Sequence, residues 1–352
     1  MSTPAARSFL RRWARRILLG VLGLIALILA AGSVYERMGR RRAARDFPPP
    51  GQMVNIGGRR IQLDCRGTGS PIVVFESGLD LYGSLSWSLV HDEIAKTTRA
   101  CAYSRAGLMW SDPPPGPQNG MTVAEDLHAT LEKAGEQPPY VLVAHSLGGP
   151  YAMTYTKRHA PEVAGLVFVD ATHPDQFQQL KAVMPNARPP LGVMKAVGAL
   201  SWTGLLRALM AIQPRVPGVP RPPPEIFRVA AAFAPISFDG SLEEMKALDA
   251  TLAEAGTFHR LGDRPLVVLT AMAPLPEVVL AVNKMTRNQA DEMQARWRAL
   301  HEEEASWSSR GQHQLVDDAT HYIQFDRPDV VIAAVRTVIQ SVRDTGSASG
   351  VR

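Results

Sequence analysis

Residues 140–149 read Tyr-Val-Leu-Val-Ala-His-Ser-Leu-Gly-Gly, an apolar run that passes without a linker into a helical pattern. A continuous apolar run of this length suits a strand buried on both faces of a parallel sheet. Joining it to a helix at Ser146 requires a sharp bend, and small residues must flank that bend so that strand and helix can approach. Ala144 and Gly148 supply them, two positions before and two after the serine. A serine held at such a bend is strained in its backbone, and its hydroxyl is pushed out of the sheet. The helix start adds N–H groups and partial positive charge where negative charge can develop. Pro150 is tolerated in that first turn, where its missing N–H costs nothing. The bland alternative for the same letters is a serine in an ordinary helix-capping turn.

Eight segments read as strands: 53–56, 60–65, 72–76, 99–103, 140–144, 164–169, 266–270 and 312–316. Helical patterns lie between several of them. Thr122 and Glu125 predict a capping box, Val123, Leu127 and Leu131 a buried stripe, and Gly135 the end of that helix. A last helix is predicted from Pro328 and Asp329, carrying Val331, Val335, Val338 and Val342. This alternation predicts an α/β fold with a doubly wound, mostly parallel sheet and ligands at the carboxyl ends of the strands. Residues 173–264 interrupt it with a proline-rich centre (Pro214, Pro217, Pro220, Pro222, Pro223, Pro224) and apolar helical patterns at 191–200, 205–212 and 242–252. That stretch is too long for a loop and too apolar for a linker. It predicts a helical cap inserted between core segments 51–172 and 265–345, over the strand ends.

The net charge of +5 comes from one place. Residues 1–46 hold ten of the 38 basic residues and two of the 33 acidic ones, Glu36 and Asp46. The remainder is slightly acidic, which excludes a nucleic-acid surface on the main body as an expectation. Within the basic segment, residues 17–35 carry no charge. At a rise of about 1.5 Å per residue they reach roughly 28 Å, the thickness of a bilayer's hydrocarbon core. Five arginines on each side suit headgroup depth. The segment 1–50 therefore predicts a membrane anchor through residues 17–35, followed by a stiff spacer at Pro48, Pro49 and Pro50. A cleaved signal peptide, with Ala30 and Gly32 near the cut, is the alternative. Charge counting across the span is a tie. Cys65 and Cys101 sit in strand-like runs and are either two reduced core thiols or, if the strands are neighbours, a disulfide. The disulfide would imply an oxidising compartment, and an extracytoplasmic body is the expectation carried forward.

With the Ala144-His145-Ser146-Leu147-Gly148 turn, the chain resembles the α/β-hydrolase fold superfamily over roughly residues 54–342, apart from the cap. The resemblance implies the order nucleophile, acid, histidine. Ser146 is then the nucleophile. His321, after the last strand and before the final helix, is the general base, with His173 its one rival. In most of the superfamily the acid follows the strand at 266–270, but here no carboxylate appears until Glu277. The preceding strand ends at Asp170, so Asp170 is the first choice, Glu277 the second and Asp175 the third. The resemblance implies oxyanion donors at Leu147 N–H and, in the Ser77-Gly78-Leu79 loop, at Leu79 N–H. Arg105, in a loop that usually begins Asp-Arg and here begins Ser104-Arg105, is expected to brace loops near the site. His145 is expected to pack beneath the turn, and His91, His128, His159, His259, His301 and His313 to be solvated.

The expected activity is hydrolysis of a carboxylic ester, or a related acyl bond, through a Ser-His-Asp triad and an acyl-enzyme. A serine at this position argues against the epoxide hydrolases and haloalkane dehalogenases of the fold, which use aspartate. Aminopeptidase or acyltransferase chemistry on the same residues is the near alternative, and a non-catalytic membrane-tethered binding protein the distant one. The apolar cap predicts an uncharged, moderately hydrophobic small-molecule acyl substrate. No cofactor or metal is expected, since no Cys or His pair has ligand spacing on one element and no Walker-type loop occurs.

Overall fold

The computed structural model describes residues 4–184, 188, 190–211 and 222–349. Helix α1 spans Pro4–Asp46. A sheet follows, built from β1 (Gln52–Asn55), β2 (Arg60–Arg66), β3 (Ile72–Glu76), β4 (Ala100–Ser104), β5 (Tyr140–His145), β6 (Val163–Val169), β7 (Leu266–Ala271) and β8 (Gly311–Val316). Their order is β1-β2-β4-β3-β5-β6-β7-β8. The β1–β2 and β2–β4 pairs are antiparallel and all others parallel. Alternate residues feed opposite faces, as a strand's period of two requires. Leu142 and Ala144 join one core with Leu127, Leu131 and Tyr155, whereas Val141 and Val143 join another with Val335 and Val338.

The longer helices that follow are α2 (Gly120–Ala134), α3 (Gly148–Arg158), α4 (Leu191–Ala199), α5 (Leu205–Ala211), α6 (Pro224–Lys246), α7 (Leu248–Ala255), α8 (Arg287–Ser306) and α9 (Pro328–Ser349), of which α4 and α5 pack on α6. Two expectations about their limits need correction. Helix α2 begins one turn earlier than the Thr122–Glu125 pair predicts. Asn119, extended at φ −86° and ψ 173°, caps it by accepting from Thr122 N at 2.9 Å, and Glu125 pairs with Arg158 instead. The 242–252 pattern is not one helix, because the chain breaks at Ala247, where α6 ends and α7 starts. Pro224 opens α6 at the position where its fixed φ fits a first turn. Pro214, Pro217, Pro220 and the end of the 205–212 pattern lie outside the described residues.

Cys65 and Cys101 are directly opposed in the β2–β4 ladder and form a disulfide. Helix α1 is long and apolar enough to cross a membrane by length and composition, and none of its most apolar window is buried in the protein.

Two buried acids give the fold a pH dependence. Burial outweighs the hydrogen bonds from Ser86 and Tyr82 N–H and pushes Asp80 up to about 6. Burial likewise pushes Glu76 up to about 7, against the attraction of Arg105. A carboxyl raised by folding adds stability below its unfolded pKa, and that stability is lost as pH rises through the folded value. Thermal stability is therefore expected to fall as pH rises from about 4 to about 7, the span of these two shifts. Asp80→Asn keeps an oxygen for the amides of Tyr82 and Gly83 and removes one titration. The measured slope of Tm against pH should flatten in that variant; an unchanged slope excludes Asp80 as a source.

Candidate active site

Strand β5 delivers Ser146 at its carboxyl end, and α3 starts two residues later. Ser146 has φ 52°, in the left-handed region that costs an L-residue roughly 1–2 kcal/mol. Backbone bonds hold the bend: Thr172 N–H and Gly149 N–H both donate to Ser146 O, at 2.8 and 2.9 Å. Gly148 is required by close approach, since a Cβ there would lie 2.7 Å from Glu76 O and 2.8 Å from Ser77 O.

The structure brings Ser146, His321 and Asp170 together. His321 Nε2 lies 3.0 Å from Ser146 Oγ, and His321 Nδ1 lies 2.6 Å from Asp170 Oδ2. His321 follows β8 on a loop pinned by Thr320, whose N–H and hydroxyl both donate to Asp326 Oδ2. Asp170 directly follows β6, also at positive φ (45°), and is buried. Burial opposes its charge, but the hydrogen bond and charge of His321, the nearby His301 and Ala271 N–H together hold its carboxyl below the ordinary carboxylate value.

The other candidates stand elsewhere. Glu277 is exposed and paired with Arg287. Asp175 is exposed at the start of a short helix, Gln176–Gln179. His173 is buried, takes a hydrogen bond from Asp175 N–H and packs its ring against Trp307 and His259. Leu147 N–H and Leu79 N–H have no acceptor among the described residues. The loop carrying Leu79 is braced by Arg105, which donates from Nη1 to Ser77 O at 2.6 Å and from Nη2 to Gly78 O at 2.7 Å. A trans peptide points its carbonyl and N–H in opposite directions. Fixing Gly78 O on Arg105 therefore turns Leu79 N–H away from it. Arg105 is itself held between Glu76 and Glu244 of α6, which ties this loop to the cap.

Of the groups around the site, His145 follows the sequence reading, and His91, His301 and Trp297 escape it. His145 is buried, as expected, and its Nε2 donates to His321 O at 2.8 Å. Burial, then the neighbouring His321, push it down to about 3, so it stays neutral. His301 and His91 are buried, not solvated: His301 Nε2 donates to Ala171 O, and His91 Nε2 to Ala100 O. Trp297, on α8, donates its indole N–H to Asp170 Oδ1 at 3.0 Å, beside Ala271 N–H at 2.9 Å. The signal for α8 was present: Thr286 and Gln289 form a capping box, and Ala290, Met293, Trp297, Leu300 and Glu304 recur at helical spacing. Trp297→Phe removes one donor to a charged oxygen, an interaction of about 1.5–3 kcal/mol. It is expected to lower kcat about tenfold with KM nearly unchanged and to move the acidic limb of the pH–rate profile; a change in KM alone would assign Trp297 to the pocket wall.

A cavity of about 360 Å³ beside His321 has a largely apolar wall, to which Leu180, Met184, Leu275, Val279 and Met293 contribute. Residues 61–334 match the model of the alpha/beta hydrolase family. The chain belongs to that family. Among curated proteins it is 34% identical over 160 residues to a probable transporter of Hormonema carpetanum, a match covering 40% of this chain and 23% of that protein. The first relatives of this kind are matched over 23–51% of their own length. Among solved structures, a thermophilic esterase from Thermogutta terrifontis aligns with a TM-score of 0.54 at 17% identity, covering 83% of this chain and 98% of that one. The epoxide hydrolase CorEH aligns equally well, with a TM-score of 0.57 at 16% identity over 83% and 98% of the two chains. The likeness is one of fold, and fold alone does not choose between such chemistries.

Proposed function

We propose that this hydrolase cleaves carboxylic esters by way of an acyl-enzyme formed on Ser146. One observation carries the proposal: the unbroken contact chain Ser146 Oγ–His321–Asp170, at 3.0 and 2.6 Å. A serine hydroxyl is a poor nucleophile at neutral pH until a base accepts its proton. His321 Nε2 takes that proton as Oγ attacks the ester carbonyl, and Asp170 holds Nδ1–H and stabilises the imidazolium. Leu147 N–H and Leu79 N–H receive the oxyanion, at the start of α3 where the helix dipole adds positive potential. His321 then gives its proton to the leaving alcohol. Water, deprotonated by the same imidazole, releases the acid and restores Ser146. The apolar cavity beside His321 supports an uncharged, moderately hydrophobic acyl group. The apolar length of α1 supports a membrane anchor, and the Cys65–Cys101 disulfide supports a body outside the cytoplasm. A fluorophosphonate probe tests the chemistry on the full chain. One probe per chain on Ser146, with parallel loss of p-nitrophenyl butyrate hydrolysis, is the expected result. A chain that neither reacts nor hydrolyses the ester is a binding protein on the same fold.

A further inference from the structure

The cap has an apolar face with a definite position relative to α1. Outside α1, nine large apolar side chains are exposed among the described residues, and five of them fall within residues 191–211: Val193, Leu200, Trp202, Leu205 and Leu209, each 46–60% exposed. Leu205 and Leu209, four residues apart on α5, share one side of that helix, and Trp202 stands exposed in the turn Ser201–Thr203 that leads into it. That stretch holds two charged residues, Lys195 and Arg207, and no acid. Arg207 turns inward, away from this face, to a buried ion pair with Glu36 of α1 at 2.8 Å.

The same turn sits directly on α1. A Cβ at Gly32 would lie 2.1 Å from Thr203 O, and a Cβ at Gly204 would lie 2.8 Å from Gly32 O, so the two backbones touch there. Gly32 belongs to the charge-free segment 17–35, three residues before its end. At about 1.5 Å per residue the contact lies roughly 5 Å inside the apolar span. Glu36, one turn further on, is neutralised by Arg207 and Arg40. The exposed arginines Arg37, Arg41 and Arg42 follow at the depth expected of headgroups. A tryptophan beside aliphatic side chains, with the nearby acids Glu36 and Asp239 each paired with an arginine, matches the chemistry of the interfacial layer.

We propose that the cap edge formed by α4, the turn at Ser201–Thr203 and α5 is a membrane-contact surface, with Trp202 and Leu205 seated in the interface of the bilayer that α1 crosses. The proposal rests on reading α1 as membrane-spanning. It goes beyond tethering, because the cap is then fixed against the lipid and not held at the end of a free spacer. Continuity with α1 selects the bilayer over a protein partner: any occupant of this face must share the level of Gly32 with the lipid around the span.

The test uses the full chain in phosphatidylcholine/phosphatidylglycerol nanodiscs. An NBD fluorophore is placed on Leu205→Cys, with Leu24→Cys as the reference inside the span and Gln340→Cys on α9 as the reference in water; both native cysteines are in the disulfide. Leu205→Cys is expected to be quenched by headgroup-proximal nitroxide lipid and shielded from iodide about fivefold relative to Gln340→Cys, as an apolar face 5–10 Å into the interface would be. Quenching by lipid at Leu24→Cys, with Leu205→Cys open to iodide, overturns the cap contact and leaves the anchor standing. A probe at Leu205→Cys shielded from both quenchers means a second copy or another protein covers the face, and overturns it too. Exposure of both sites to iodide removes the anchor and the contact together.

Discussion

Ser146→Ala is expected to lower kcat for a short p-nitrophenyl ester by about 10⁶ while the protein folds normally, the scale seen when a triad nucleophile is removed. Alanine keeps the Cβ and meets the same penalty at φ 52°, so stability should barely move. The hydroxyl is lost, and with it the one atom of the residue that reaches His321. Ser146→Gly is the informative companion. Glycine visits positive φ freely, so it should be more stable than the alanine variant by about 1 kcal/mol, and equally inactive. The pair separates chemistry from strain: the bend taxes stability in order to hold the hydroxyl forward. Turnover retained in both variants would defeat Ser146 as nucleophile, whichever residue performed the reaction.

The parts of this site that could be read from the sequence are those whose constraint is local. The central strands β3 to β7 are legible because each is a short, largely apolar run closed by turn residues, as a parallel sheet buried on both faces demands, whereas β1, β2 and β8 mix apolar and polar residues. Ser146 is legible because bend, strand and helix are contiguous in the chain. His321 needed the order along the chain that the family resemblance implies. Asp170 needed elimination, and the structure seats it against His321 because β6, β7 and β8 lie side by side, which no local pattern states. Trp297 is a contact across 127 residues, made by a largely polar helix. Its presence beside Asp170 depends on how α8 lies along β7. His145 and His301 were read as one buried and one solvated for want of any local distinction; both are buried because each has a backbone carbonyl waiting, His321 O and Ala171 O. The break at Ala247 is likewise tertiary. Glu244, just before it, must stay on Arg105, and the following helix must turn to cover α3 and α2.

Asp170→Asn is the second large effect, and the surroundings of the carboxylate say why a nearly isosteric change should be severe. Oδ1 accepts from Ala271 N–H and Trp297 Nε1–H, while Oδ2 faces His321 Nδ1. In the variant the amide oxygen must occupy the Oδ1 position, because an NH₂ there would oppose two donors. That places the NH₂ against His321 Nδ1 and makes Nδ1 an acceptor. The imidazole proton moves to Nε2, the nitrogen that must accept from Ser146. The ring is then present and correctly placed but in the wrong tautomer, a situation expected to cost about 10⁴ in kcat with little change in KM. Glu277→Gln, at a side chain 85% exposed and paired with Arg287, should stay within about twofold of wild type, as surface charges do. The outcome that reverses the assignment is a Glu277→Gln enzyme crippled beside an active Asp170→Asn one. Trp297→Phe sharpens the comparison: with one of the two donors gone the amide can flip more readily, so the double variant with Asp170→Asn should recover part of the lost rate.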